Sequence, residues 1–144
     1  MKCPTSLPSA PARRKDGYEA QKAIDGDPQT FWHTRWDRDP VPDFPHELTV
    51  KFKTPETLIG FTALPRQDGI RNGWIRQFAF YASADGVDWG QPVVTGIFSE
   101  NAKRKTIHFP RPVTARFVKL AALSGYADGP WASLAEFNVI RTTQ

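Results

Sequence analysis

Short segments of alternating apolar and polar residues, each followed by a turn signal, dominate this chain. Residues 48–53 read LTVKFK and alternate strictly, which is typical of a strand with one buried face. Asp85-Gly86 is a strong hairpin signal. Thirteen prolines and ten glycines are spread along the chain and leave little room for long helices. The pattern therefore predicts an all-β sandwich built from short strands.

The predicted elements follow from the same alternation. Residues 18–23 are expected to form one or two helical turns. Residues 1–14 are expected to be a flexible leader or an edge strand, and residues 15–144 a single domain large enough for its own core. The predicted strands cover residues 48–53, 57–64, 74–83, 105–109, 114–123 and 135–140, with a short strand beginning at residue 93.

The charge pattern and the hydropathy of the chain favour neither nucleic-acid binding nor a membrane span. The net charge is +4 and the pI is about 9.4, which would suit an anionic partner. The charges are scattered, however, and no basic stripe predicts nucleic-acid binding. No apolar run is long enough for a membrane span. The single Cys3 cannot form an intrachain disulfide.

Residues 23–36, AIDGDPQTFWHTRW, form an irregular stretch that is dense in oxygen ligands and rings. Asp25 and Asp27 flank a glycine, and Thr30 offers a hydroxyl and a carbonyl. Calcium prefers hard oxygen ligands of these kinds. Asp27 followed by Pro28 also fits a helix N-cap with proline at the first helical position. The spacing therefore leaves a metal site and a simple turn both open.

Four residues in separate loops have the chemistry of a sugar site. Aromatic rings stack on the C–H faces of sugars, and planar polar side chains bond their hydroxyls. His33, Arg66, Asn72 and Trp131 supply these types. The alternatives are a structural histidine, an Arg66–Asp68 ion pair and an ordinary Asn-Gly turn. Trp131 is the most telling, because it follows Gly-Pro in a loop.

Several strings, taken in order, resemble the coagulation factor 5/8 type C, or discoidin-like, domain. The nearest branch is the family 32 carbohydrate-binding modules of bacterial glycoside hydrolases. The fold that the resemblance implies is an all-β, eight-stranded antiparallel jelly-roll sandwich. The cysteine pair of many animal members is absent, which favours the bacterial branch. The matching strings are AIDGDPQTFWHT, FPHELTVKF, LPRQDGIRNGWIRQFAFYASADGVDW, ARFVKLAAL and WASLAEFNVI.

The resemblance also implies two sites. One is a structural calcium ion that ties the loop to the last strand. The other is a galactose-type pocket in which His33, Arg66 and Asn72 bind hydroxyls, Trp131 stacks, and Trp36 and Tyr126 flank the sugar. The expected calcium ligands are Asp25, Asp27, Thr30, Glu136 and backbone oxygens near Ala23 and Ala135.

The function implied is non-catalytic binding of galacto- or N-acetylhexosamine-type glycans. The chain would target a linked, secreted glycoside hydrolase, and would be a monomer in the secreted, periplasmic or cell-surface compartment of a bacterium. Glycosidases need two carboxylates across a cleft, and the obvious pair, Asp25 and Asp27, is used by calcium. The alternative is a protein- or phospholipid-binding adhesion module. Its expected tip loops are more polar than lipid insertion requires.

Overall fold

Seven strands and one short helix make up the part of the chain that the computed structural model describes, residues 18–34 and 41–142. The helix is a single 3-10 turn, Ala20–Ala23, where helical turns were expected. None of the helices in these ranges is long and apolar enough to cross a bilayer. The strands are β1 (Trp32–His33), β2 (His46–Leu64), β3 (Gln77–Ser83), β4 (Val94–Ile97), β5 (Lys105–Ala122), β6 (Ser133–Leu134) and β7 (Glu136–Arg141).

The strands form two antiparallel sheets. The larger sheet has the order β4-β3-β5-β2-β7, and the smaller one pairs β1 with β6. The two sheets form a sandwich, so the predicted all-β class is confirmed. Two predictions fall outside the described residues. They are the leader of residues 1–14, which contains Cys3, and the placement of Trp36.

The long strands β2 and β5 differ from the prediction, which divided each of them in two. β2 continues through Pro55, and its register against β5 shifts between Lys51 and Glu56 and again between Leu58 and Gly60. β5 likewise continues through Pro110 and Pro112. A β-bulge lets a strand bend without ending, so prolines at these irregular positions do not terminate the strands. The described part therefore has seven strands rather than the eight that the resemblance implied.

The core is aromatic and lies on the inner face of the large sheet. Phe61 is fully buried, and its ring lies 4.7 Å from that of Phe80 and 5.7 Å from that of Phe78. On β5, Val118 is fully buried and Phe117 is half-buried, which decides between the two expected inward residues. Strict alternation therefore predicted the buried face correctly where no bulge intervenes.

Candidate functional site

A cavity of about 180 Å³ gathers residues from four separate parts of the chain. Four of the six lining residues are those that the sequence predicted, so the structure brings the expected set together. Tyr18 and Ile70 were not predicted, because no motif or charge distinguishes them in the sequence. The lining residues are Tyr18, His33, Arg66, Ile70, Asn72 and Trp131.

The small sheet brings His33 close to Trp131. In the β1–β6 ladder His33 pairs with Ser133, two residues beyond Trp131. The two ring centroids are 6.4 Å apart. The backbone N–H of His33 also donates to the carbonyl of Tyr18, at 3.2 Å, which places Tyr18 at the same cavity. Residues far apart in sequence thus meet through two short strands.

The contacts of His33 define which ring nitrogen donates. Nδ1 lies 2.6 Å from the carbonyl oxygen of Thr34. A carbonyl only accepts hydrogen bonds, so Nδ1 carries a proton in this contact. His33 is 3% exposed, so its ring cannot turn away without disturbing its neighbours.

Arg66 follows the end of β2 and is held in one orientation. Its Nε and Nη2 donate to the two carboxylate oxygens of Asp68 at 2.9 and 2.7 Å, and Nη1 donates to the carbonyl of Asn72 at 3.1 Å. The guanidinium lies 4.2 Å from the ring centroid of Phe31. These bonds use three of its five N–H donors, which leaves two for a ligand. The Arg66–Asp68 pair was expected as an alternative to a binding role, but the two are compatible.

The ionisation of Asp68 supports this arrangement. Hydrogen bonds from Arg66 are the largest cause of the lowered pKa of Asp68, and the backbone N–H of Ile70 acts in the same direction. Burial opposes them. Asp68 is therefore a carboxylate at neutral pH and accepts bidentate bonds from the guanidinium.

Asn72 is positioned through its backbone by Ser133. The Ser133 hydroxyl donates to the carbonyl of Asn72 at 3.0 Å, and the Ser133 N–H donates to the carbonyl of Gly73 at 2.9 Å. Gly73 has φ +90°, and a Cβ there would overlap the Ser133 side chain. The Asn-Gly turn is therefore required by close packing. No local sequence pattern marks Ser133, because its contacts depend on the pairing of β1 with β6.

Trp131 is held by its own loop. The indole packs so closely over Gly129 that a Cβ at that residue would overlap the ring. On the other side, Nε2 of His46 lies 2.6 Å from the carbonyl oxygen of Pro130. The position of the Trp131 ring, which was predicted to stack on a sugar, is therefore set by contacts at Gly129 and Pro130.

Tyr126 does not line the cavity, although it was expected to flank the sugar. Its hydroxyl donates to the carbonyl of Phe98 at 2.6 Å, and its N–H donates to the carbonyl of Trp74 at 3.0 Å. Both polar groups are used to anchor the loop onto the neighbouring segments. The same loop carries Trp131, so Tyr126 supports the site without facing it.

The loop expected to hold calcium brings three oxygens together. The Thr30 hydroxyl donates to the carboxylate of Asp25 and contacts the carbonyl of Asp27 at 3.1 Å. The Asp27 carboxylate instead accepts the backbone N–H of Gln29 at 2.9 Å, in a turn that starts no helix. Carboxylate, hydroxyl and carbonyl are all oxygen donors that suit calcium, so this loop fits the ion chemically.

Glu136 is the expected carboxylate from the last strand. It is 8% exposed, and its Oε1 lies 3.2 Å from Nη2 of Arg104. Ala23 and Ala135, whose carbonyls were expected to contribute, are fully buried. Across residues 18–34 and 41–142, no three His, Cys, Asp or Glu side chains cluster as a metal site. Backbone and hydroxyl oxygens would have to supply much of the shell.

Comparison with known proteins identifies the family. Residues 6–137 match the model of the F5/8 type C domain. The chain belongs to this family. It is therefore a module of a non-catalytic binding type that occurs within larger proteins, and no catalytic role attaches to its own carboxylates.

Curated relatives share most of this chain but are far longer. A galactose oxidase of Gibberella zeae is 42% identical over 130 residues, which cover 90% of this chain and 19% of that protein. A sialidase of Micromonospora viridifaciens is 34% identical over 126 residues, 88% of this chain and 19% of that protein. The chain thus spans about a fifth of the length of these relatives.

Solved structures of similar modules confirm the fold. The module CpGH89CBM32-5 from Clostridium perfringens, solved with GalNAc-β-1,3-galactose, has a TM-score of 0.84 and 33% identity, and the match covers 92% of this chain and 93% of that one. The family 32 module of NanJ from C. perfringens, solved with galactose, has a TM-score of 0.80 and 32% identity, covering 92% and 90%.

Proposed function

We propose that this chain is a carbohydrate-binding module that holds a galactose-type sugar in the cavity between His33, Arg66, Asn72 and Trp131. The observation that carries the proposal is their convergence on one cavity of about 180 Å³. The similar modules solved with galactose and with GalNAc-β-1,3-galactose support the class of sugar.

The site has the donors, acceptors and ring that a pyranose requires. Arg66 keeps two N–H donors that its internal bonds do not use, and the His33 ring lines the same cavity. The side-chain amide of Asn72 both donates and accepts. The Trp131 indole supplies an apolar face for the sugar C–H groups. A single site of this size is expected to bind a monosaccharide weakly, with Kd in the ~mM range, about −4 kcal/mol.

The parent protein is proposed to be a larger enzyme that acts on glycans. Among the similar proteins are an oxidase, a sialidase and a deacetylase, so the linked reaction is not fixed by the module. We propose that the linked enzyme is a glycoside hydrolase. The C. perfringens modules resemble this chain over nearly its whole length, and one of them comes from a family 31 glycoside hydrolase. Tethering would raise the effective concentration of glycan near the catalytic domain and so compensate for weak binding.

The location and assembly expected from the sequence belong to the same proposal. We propose a secreted, periplasmic or cell-surface bacterial protein, because the glycans that such a module would bind are displayed outside the cytoplasm. A monomer is proposed as well, since the described part of a single chain already brings the predicted ring, cation and amide to the cavity.

The second candidate, an adhesion module, has one observation in its favour. Ile70 is 46% exposed at the rim of the cavity and is apolar. Lipid insertion needs several apolar tips flanked by basic residues. Here the neighbouring Arg71 is paired with Glu100, and Arg66 is paired with Asp68. This rim is thus better suited to a sugar than to a membrane.

A glycan array run beside a liposome-pelleting assay tests the proposal. We expect signal on glycans with terminal galactose or N-acetylgalactosamine and no pelleting with phosphatidylserine vesicles, because the arginines at this rim are paired with carboxylates. Pelleting without any glycan signal would replace the proposal with the adhesion function.

We also propose a structural calcium ion between the residue 25–30 loop and β7. The support is chemical: the Asp25 carboxylate, the Asp27 carbonyl and the Thr30 hydroxyl converge. Asp25, Asp27, Thr30, Glu136 and the carbonyl of Ala23 are the proposed ligands. The ion would supply cross-linking between loop and strand, while the protein residues set the position of Phe31 and His33 beyond the loop.

A further inference from the structure

Ile70 is out of place in a polar loop. It lies in the segment RQDGIRN, and its side chain is 46% exposed. The chain segments described by the structure contain four exposed large hydrophobic residues, and Ile70 is the one that lines the cavity. Single exposed hydrophobic residues are common and need no explanation. An exposed hydrophobic residue at the edge of a binding cavity, however, can contact a bound ligand.

Asp68 fixes the position of Ile70 relative to Arg66. The same carboxylate oxygen, Oδ1, accepts the Nε–H of Arg66 at 2.9 Å and the backbone N–H of Ile70 at 3.2 Å. Gly69, between them, has φ +83°, a conformation that turns the chain sharply. Asp68 therefore holds both the Arg66 guanidinium and the backbone of Ile70, and both residues line the same cavity.

This pairing suits an acetamido group better than a hydroxyl. A hydroxyl gains nothing from an aliphatic neighbour, whereas an acetamido substituent carries a carbonyl, an N–H and a methyl. Arg66 has two N–H donors left by its internal bonds, which suit the carbonyl oxygen. The acetamido methyl can pack against the Ile70 side chain, and this contact removes apolar surface of both groups from water. Donor and apolar surface lie together on the loop that ends at Asn72.

We propose that Ile70 is a specificity-determining residue that contacts the acetamido methyl, so that the module prefers N-acetylgalactosamine to galactose. The inference rests on the proposed sugar site and adds the identity of the preferred sugar. Because Ile70 is half-exposed, the gain is expected at the low end of what one methyl contact provides, roughly five- to tenfold in affinity.

Titration of the intact chain with galactose, methyl β-galactoside and N-acetylgalactosamine tests the inference. We expect the acetamido sugar to bind roughly five- to tenfold more tightly than the other two. Ile70→Ser should bring the affinity for N-acetylgalactosamine close to the affinity for galactose measured on the same variant. Ile70→Leu, which keeps an apolar surface, should retain most of the preference.

The matched control is Ile97→Ser, which removes an isoleucine that is 59% exposed on β4 and does not line the cavity. It should leave the preference unchanged, and melting curves should show all variants folded. Equal affinity for galactose and N-acetylgalactosamine, a gain shown by methyl β-galactoside instead, or a preference that survives Ile70→Ser would overturn the inference but leave galactose binding intact. Absence of binding to all three sugars would overturn both the inference and the proposed function.

Discussion

At the scale of single residues, Arg66 shows how the fold prepares a binding group. A free arginine side chain has about 2 kcal/mol of rotamer entropy to lose when it is fixed by a ligand. Here Asp68, the Asn72 carbonyl and the Phe31 ring already hold the guanidinium. The entropy is lost on folding, so a ligand that meets the two outward N–H donors does not bear that cost.

His46 acts on the site through a buried contact. It is 1% exposed, its Nε2 donates to the Pro130 carbonyl at 2.6 Å, and Nδ1 has no hydrogen-bond partner among the described residues. Burial lowers the pKa of His46, while the Pro130 hydrogen bond and the charge of Asp43 act in the opposite direction more weakly. The neutral ring is therefore the form compatible with the folded loop.

The pH dependence of stability follows from the lowered pKa. The pKa of His46 is near 6.5 in the unfolded chain and is lower in the folded protein. In the window just below 6.5 the unfolded state binds more protons, so the free energy of unfolding falls as the pH falls, by at most about 1.4 kcal/mol per pH unit for one group. Above pH 6.5 the contribution of His46 to the free energy of unfolding is fully present.

Thermal melts of wild type and His46→Gln at several pH values check this. Glutamine can still donate to the Pro130 carbonyl but does not titrate, so the variant should lose part of the decline in stability that wild type shows below pH 6.5. His33 and His108 are common to both proteins and cancel in the comparison. The same pH dependence in both proteins would show that His46 does not titrate as described.

At the scale of secondary-structure elements, the site depends on the two shortest strands, β1 and β6. β1 and β6 have two residues each, yet their pairing sets His33 opposite Ser133 and brings Trp131 beside it. Ser133 then fixes the turn of Asn72 and Gly73. Strands of two residues are too short to predict from alternation, which explains why the ligand residues were predictable by type while their supports were not.

The proposed calcium ion makes a prediction at this scale, because it would join the residue 25–30 loop to β7. EDTA should lower the melting temperature of wild type by several degrees, since binding to the folded state alone stabilises by mass action. Glu136→Gln should lower the melting temperature in calcium and abolish the response to EDTA.

Glu56→Gln provides the control for this experiment. Glu56 is a half-buried strand glutamate that pairs with Arg141 at 3.1 Å and is not among the proposed calcium ligands. Its response to EDTA should equal that of wild type. Unchanged melting of wild type in EDTA would contradict the proposed ion.

At the scale of the whole molecule, the sequence predicted the fold class and four of the residues that line the cavity, but not their geometry. Alternation identified the buried faces, and the residue types of His33, Arg66, Asn72 and Trp131 indicated sugar chemistry. Bulges in β2 and β5 joined strands that the prolines had suggested were separate. The contact of Tyr126 with Phe98, 28 residues away in sequence, was not predicted. Long-range pairing of this kind leaves no local signal.

The central claim is that Trp131 forms the stacking surface of a galactose site. Calorimetric titration with galactose should give a ~mM Kd for wild type and no measurable binding for Trp131→Ala, since loss of about 2 kcal/mol of ring contact raises Kd roughly thirtyfold. Trp89→Ala is the control, because Trp89 packs over Lys119 and does not line the cavity. Galactose binding by Trp131→Ala with wild-type affinity would contradict the account.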